Sequence, residues 1–349
     1  MNKFIIFILT LFAFSLVSCQ KPGFGPDRPQ KRGERGNKRG GQGENKQGGQ
    51  RGMRGSTALV CKGKNDLSQI PVAFLSAMKK YTTLNNEYLV YVCTEDSNGD
   101  GNPEYIVVEA SDLPEHKSVY YDSSHKHYED FDYVTNAHKY SEVYEGHTGK
   151  GPRSAGRNKI EKQTLILKMP VPPMPASNKT ETDYGAIGIA LNGVAFFNEN
   201  AAPGHQITDE LFTFDQCSGH PQGKGMYHYH VDPICLIRDL GGSVKNEVKT
   251  SNGTTYKWIE DTGENAGMLL GFLMDGFPVF GPIGNGEKDC RGNAAPPIDE
   301  YNGHQHCTLD FDGGIYHYHV KTGNLGGTSN PIFWITNKHF YGNPGSLGQ

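Results

Sequence analysis

Two short stretches of this chain carry metal-binding side chains at a spacing that lets them act together: Tyr227-His228-Tyr229-His230-Val231 and Tyr316-His317-Tyr318-His319-Val320. In an extended strand alternate side chains share a face, so His228 and His230 project together with Cα atoms roughly 6.5 Å apart, as do His317 and His319. Both imidazoles of a pair can then reach one ion. His220 and His304 stand ahead of the pairs, each behind a glycine, and offer a third nitrogen. Three imidazoles with an open position suit zinc or copper, for which neutral imidazole is an effective ligand. Asp215 and Asp299, five residues before the loop histidines, read as partners for the second ring N–H of a ligand, fixing its tautomer. The intervening Tyr227, Tyr229, Tyr316 and Tyr318 fall on the other face, where they pack and hydrogen-bond through their hydroxyls. A competing reading makes every one of these histidines structural, each hydrogen-bonded in a core.

The two stretches belong to a longer repeat. Leu191-Asn192-Gly193-Val194 aligns with Met274-Asp275-Gly276-Phe277, Phe214 to His220 aligns with Ile298 to His304, and the Tyr-His-Tyr-His blocks follow in the same order. Such recurrence is the signature of a repeated structural unit. It predicts a duplication over about residues 185–236 and 268–322, packed with pseudo-twofold symmetry, with either one shared site or two separate ones.

Other polar clusters carry weaker signals. His306 reads as part of a loop pinned by its neighbour Cys307, or else as an extension of the second cluster. Asn192-Gly193 and Asp275-Gly276 read as tight hairpin turns, a purely local role for Asp275. His125-Lys126-His127 lies among polar residues and is expected in a solvated loop. Asp96, Asn98 and Asp100, with Gly at the sharp turn, match the opening of a calcium loop, but Val107 occupies the position of the closing bidentate Glu, which favours a plain hairpin loop. No Gly-x-Ser-x-Gly elbow, phosphate-binding loop or His-Glu-x-x-His is present, so familiar hydrolase and nucleotide chemistries lack support.

The elements that must position these residues are strands. Apolar runs at Tyr88 to Cys93, Tyr105 to Ala110, Thr164 to Met169, Ala186 to Leu191, Val194 to Phe197 and Ile332 to Ile335 are separated by Gly, Asn, Asp and Pro clusters. Only Leu67 to Tyr81 has a helical pattern, with Leu67, Ile70, Phe74, Leu75 and Met78 near one face. The expected fold is mainly β, internally duplicated, sandwich-like among the architectures that fit, with few helices.

The first 56 residues are of a different kind. Lys3, the apolar stretch Phe4 to Phe14 and Leu16-Val17-Ser18-Cys19 form a bacterial lipoprotein signal, so Cys19 is expected to be lipidated and the protein anchored in the cell envelope. Gln20 after that cysteine points to the outer membrane. Residues 20–56 hold ten Lys and Arg against three Asp and Glu, a net of +7, with almost no apolar residue to bury, and read as a flexible basic tether. With Lys3 also set aside, the remaining chain carries about −12 of the overall −4. Anionic lipid headgroups or envelope polyanions are the expected partners of the tether, rather than a specific nucleic acid, and mere spacing is the alternative. No feature names a protein partner.

Cys19 removed, six cysteines remain, an even count that favours disulfides in an oxidising compartment. Nearest-neighbour pairing gives Cys61–Cys93, Cys217–Cys235 and Cys290–Cys307, with thiolate ligation of a metal as the competitor.

With both blocks in view the chain resembles the YHYH-domain family of secreted proteins. Leu113 to Ser118, Ile187 to Gly193, Phe214 to Pro221, Gly225 to His230 and Asp275 to Pro282 look like its hallmark segments, from a resemblance running from about Leu59 to near the C-terminus. That resemblance adds His116, in Pro-Glu-His-Lys, as a candidate around the site. The expected function is metal binding through His220, His228, His230, His304, His317 and His319. A metal-dependent hydrolase or oxidoreductase and a matrix-binding module with structural histidines are the alternatives.

Overall fold

The computed structural model describes residues 60–84, 89–132, 137–138, 158–202, 207, 210–251, 253–283, 286–324, 331–335 and 338–348. The signal segment, Cys19 and the basic tether lie outside them.

Strand-forming residues dominate, and where one face is buried they alternate. Strand β3 (Leu165–Pro170) buries Leu165, Leu167 and Met169 and leaves Ile166, Lys168 and Pro170 half-buried. It pairs antiparallel with β2 (Tyr105–Ala110), which pairs with β1 (Val90–Glu95) on its other side, and β16 (Ser346–Gly348) closes this four-stranded sheet beside β3. Helix α1 spans Val72–Leu84 rather than beginning at Leu67. Pro71 sets the start, because a proline lacks the N–H that an interior helical position needs and is tolerated only in the first turn. Phe74, Ala77, Met78 and Tyr81 form its buried face, and the Tyr81 hydroxyl donates to the Ile189 carbonyl at 2.6 Å.

The second sheet has eight strands in the order β12-β13-β11-β10-β4-β5-β7-β6. Its two halves have the same plan. In one, β4 (Ala186–Ala190) and β5 (Ala195–Phe197) form a hairpin, β7 (Tyr227–Tyr229) runs parallel to β5, and β6 (Gly219–Pro221) is antiparallel to β7. In the other, β10 (Leu269–Leu273) and β11 (Pro278–Phe280) form the hairpin, β13 (Ile315–His319) runs parallel to β11, and β12 (Gly303–His306) is antiparallel to β13. The halves meet at β4 and β10, antiparallel. The sheet is open, and the described strands form no closed barrel.

Both faces of this sheet are covered. Ile189, Ala195, Phe197, Leu269, Phe272 and Phe280 pack against α1 and the inner face of the four-stranded sheet, two layers as in a sandwich. On the reverse face Ala190, Phe196, Leu270, Leu273 and the four tyrosines of β7 and β13 pack under Tyr120, Tyr121, Phe131 and the short helix α2 (Ile234–Asp239). Each such side chain, fully buried, contributes about 1.5–3 kcal/mol, so the two apolar layers fix which way every strand faces.

Two ribbons lie apart from these sheets: β8 (Val244–Ser251) with β9 (Thr254–Asp261), and β14 (Lys321–Asn324) with β15 (Pro331–Trp334). The first pair was not legible in the sequence, since β8 reads Val-Lys-Asn-Glu-Val-Lys-Thr-Ser, a mostly solvated strand with little apolar alternation. No described helix is long and apolar enough to cross a membrane.

All three expected disulfides form: Cys61–Cys93, Cys217–Cys235 and Cys290–Cys307, with Cα separations of 5.5, 5.0 and 5.3 Å. Bridging loops of this length removes chain entropy from the unfolded state worth about 3–4 kcal/mol each. Reduction with dithiothreitol is therefore expected to lower the melting temperature, and a Cys61→Ser/Cys93→Ser variant to melt well below the parent. An unchanged melting curve on reduction would mean that the bridges contribute nothing.

Candidate functional site

The loop before each outer hairpin of the eight-stranded sheet is built by one aspartate. Asp215 Oδ1 accepts the backbone N–H of Cys217 at 2.9 Å and, more weakly, that of Gly219, while Asp299 Oδ1 does the same for Tyr301 at 2.8 Å and Gly303 at 3.2 Å. Ser218 and Asn302 then take positive φ, 66° and 64°, in the left-handed region that short polar side chains tolerate. Gly219 and Gly303 follow because a Cβ at either would strike the ring of Tyr227 or Tyr316, which lies across it from the neighbouring strand. The next residue, His220 or His304, thereby sits directly opposite His228 or His317.

Two histidine clusters result. The first joins His220, His228 and His230, and the second joins His304, His306, His317 and His319 to Glu287. They sit on outer strand pairs at opposite ends of the sheet, and five strand spacings of about 4.8 Å separate β7 from β13 by roughly 24 Å. The histidines thus form two separate groups rather than one group where the halves meet.

Every ring in both clusters has its Nδ1 engaged. In the first cluster His228 Nδ1 donates to the Met226 carbonyl at 3.1 Å and His230 Nδ1 to Asn198 O at 2.6 Å. His220 Nδ1 meets Thr213 Oγ1 at 2.5 Å, and because that hydroxyl already donates to Glu210 O it must accept here. In the second, Nδ1 of His304, His306, His317 and His319 points to the carbonyls of Pro296, Cys307, Ile315 and Gly281. An imidazole that donates through Nδ1 while neutral carries its lone pair on Nε2. Burial holds four of the rings in that neutral form: it pushes His220 and His228 well below the usual histidine range, aided by neighbouring rings, and brings His230 and His317 down to about 4.

Those lone pairs converge. Nε2 of His228 and of His230 stand 3.0 Å apart, and His304 Nε2 lies 3.0 Å from Nε2 of both His306 and His319. Two acceptors at that distance with no proton between them repel, whereas the edge of a tetrahedron around an ion with bonds of about 2.05 Å is about 3.3 Å. Glu287 enters the second cluster with Oε2 at 2.9 Å from His304 and His319 and 3.3 Å from His306. Its Oε1 and His317 Nε2 are both buried without a hydrogen-bond partner and face each other across 3.8 Å, near twice a metal–ligand bond. The donor set fits a first-row transition ion.

On the reverse face the tyrosines form a separate layer. Tyr227 donates to Asp215 at 2.8 Å, Tyr316 to Asp299 at 3.0 Å and Tyr318 to Asp275 at 2.5 Å, while Tyr229 accepts from the Asn192 amide at 3.1 Å. This corrects three expectations. Asp215 and Asp299 do not orient the ligand histidines, whose second nitrogens are taken by backbone carbonyls and Thr213; they shape the loops and hold the phenols. His116 lies in this layer too, 3.1 Å from the Tyr227 hydroxyl, across the strand from the imidazoles rather than among them. Asp275 does more than turn a hairpin, for it is fully buried and also accepts the Gly342 N–H at 2.8 Å.

The remaining candidates fall elsewhere. His125 is exposed and stacked on Tyr121, with His127 beside it. Asp96, Asp100 and Glu104 gather at the β1–β2 turn, where Glu104 Oε2 accepts the Ser97 N–H at 2.6 Å. Asp96 is engaged with the N–H groups of Gly99 and Gly101, Asp100 with that of Asn102 and Asn98 with that of Asp100, the bonding of a closed hairpin loop. Two residues of the second cluster were missed or discounted. His306 has the His-x-His spacing from His304 that marks one strand face, and its cysteine neighbour masked it. Glu287 is one of two acids, with Asp289, in a Gly-rich loop with no periodic signal, recognisable only by its place shortly after the β11 hairpin.

Burial raises the Asp275 carboxyl to about 6, against about 3.9 in an unfolded chain. A raised folded value gives stability that is complete below about pH 4 and lost as pH climbs through 6. Asp275→Asn, which copies Asn192 of the other half, is expected to abolish that decline: with chelator present, the parent's melting temperature relative to the variant should fall between pH 4 and 6 and level off above. Parallel curves would contradict it.

No curated protein and no solved structure matches the chain. A protein-family model described as YHYH protein matches residues 166–295, a shorter span than the resemblance in the sequence suggested. It takes in β3, the whole first histidine cluster and Glu287, and ends before His304. Over that segment the chain is similar to the YHYH protein family.

Proposed function

We propose that this protein is an exported, lipid-anchored metal-binding protein of the cell envelope that holds two transition-metal ions, copper or zinc, one in each histidine cluster. The observation that carries the reading is the convergence of Nε2 lone pairs in both clusters, with every Nδ1 turned outward to a fixed acceptor. A purely structural role would pair each inward nitrogen with a donor; here acceptors meet acceptors, and Glu287 Oε1 and His317 Nε2 have no partner at all. Nitrogen-rich donors with one carboxylate suit zinc and copper better than magnesium or calcium, which prefer all-oxygen shells.

The surroundings support the rest. Three disulfides and a lipoprotein signal agree with life outside the cytosol. The +7 tether is read as a leash held by anionic lipid headgroups or envelope polyanions. Equal strand plans and equal Asp-Gly-His loops support the reading of residues about 185–236 and 268–322 as two copies of one unit.

Elemental analysis of the protein purified without a histidine tag tests this. The parent is expected to carry two ions per chain, and His228→Ala/His230→Ala and His317→Ala/His319→Ala one each. Added zinc or copper at about 1,000 times its Kd should stabilise the metal-free parent by roughly 4 kcal/mol for each site filled. Metal content equal in all three proteins, or a melting temperature indifferent to added ion, would overturn the assignment.

A further inference from the structure

Although built on the same plan, the two clusters differ in one respect that decides how they would handle an ion. Glu287 lies inside the second, its side chain 3% exposed, within 3.3 Å of three Nε2 atoms and facing the fourth. With four imidazoles and a carboxylate, that donor set leaves no position for an outside ligand in a four- or five-coordinate ion. Its negative charge also offsets that of a buried dication.

Among the described residues the first cluster has three imidazoles and no carboxylate in contact. The acid that faces it among those residues is Glu210, on the segment after the β5 hairpin as Glu287 is on the segment after β11. Glu210 Oε2 stands 3.9 Å from His220 Nε2 with its side chain 31% exposed. Its backbone carbonyl accepts from Thr213, which in turn accepts from His220 Nδ1, so the acid and the ligand share one short relay. Phe197 stacks on His228 at 3.9 Å and Phe214 meets His220 edge-on, walling off the sides without supplying donors. Among the described residues, Glu210 and His220 form the polar side of this centre.

Resting on the two-ion reading above, we infer that the clusters divide the work: the Glu287 centre retains its ion, while the His220–His228–His230 centre exchanges its ion and accepts an outside ligand. Glu210 is the displaceable carboxylate that closes this centre between exchanges. A small anionic or neutral oxygen or nitrogen donor is the class of ligand the open position takes, because a dication held by three neutral nitrogens keeps its full positive charge.

The test uses the full chain loaded with Co²⁺. Challenge with a chromogenic chelator should release cobalt in two phases. The fast phase should vanish in His228→Ala/His230→Ala and the slow one in His317→Ala/His319→Ala. Glu210→Gln should speed the fast phase by about tenfold and leave the slow one alone; Glu287→Gln should speed the slow phase. Azide should alter the visible cobalt spectrum of the protein retaining only the first centre and leave that of the protein retaining only the second unchanged. Release in a single phase, a fast phase belonging to the Glu287 centre, an indifferent Glu210→Gln, or azide acting on the second centre would each overturn the division of work while leaving two-ion binding intact. Failure to retain cobalt at all would instead sink the two-ion reading, and this inference with it.

Discussion

The arrangement of this molecule turns on a bond that points away from its centres: the Nδ1–H of each clustered histidine given to a fixed oxygen. An imidazole has one lone pair to offer when neutral, and the backbone decides which atom carries it. Six of the seven acceptors are main-chain carbonyls, which cannot rotate away, and the seventh is a hydroxyl whose own proton is committed elsewhere. Strand geometry brings the rings to one face; these bonds turn them so that nitrogen meets nitrogen.

The same strands serve a second purpose on their other side. Because side chains alternate, every imidazole of β7 or β13 is flanked by a tyrosine pinned beneath the sheet by Asp215, Asn192, Asp299 or Asp275. A slip of one residue would exchange the two sets, placing phenols against Phe197 and Phe280 and imidazoles in a layer of carboxylates. The buried acids on the tyrosine side therefore secure the register that the histidine side requires, and burial keeps Tyr227, Tyr229 and Tyr318 protonated as the donors or acceptors that layer needs.

Much of this was legible in the residues, and the failures have physical causes. Apolar runs located β2, β3, β4 and β5 within a residue: β3 buries alternate side chains and so records its pleat, while β2, β4 and β5 are buried almost throughout and stand out as short apolar runs between turn residues. Nearest-neighbour cysteines paired because each joins a loop to the strand or helix beside it. What one dimension hides is direction and distance. Asp215 and Asp299 sit at the right separation to orient a ligand, yet they curl back on their own loops, and only the fold shows that backbone carbonyls had already taken the ring protons. Glu287 comes from a loop whose sequence carries no period, and the ribbon β8–β9 is too solvated to announce itself by hydrophobicity. The start of α1 was misplaced because the apolar spacing continues upstream of Pro71 while the hydrogen bonding does not.

The bridge between Cys290 and Cys307 has a meaning for the order in which the protein matures. Cys290 lies three residues after Glu287 and Cys307 one residue after His306, so a single covalent bond ties the acid's loop to the strand bearing two of the imidazoles. Under reducing conditions that staple is absent, and the histidines would gather without their counter-charge. Assembly of the second cluster is thus coupled to oxidation of the chain, because the bond that holds its acid beside its imidazoles forms only where thiols can pair.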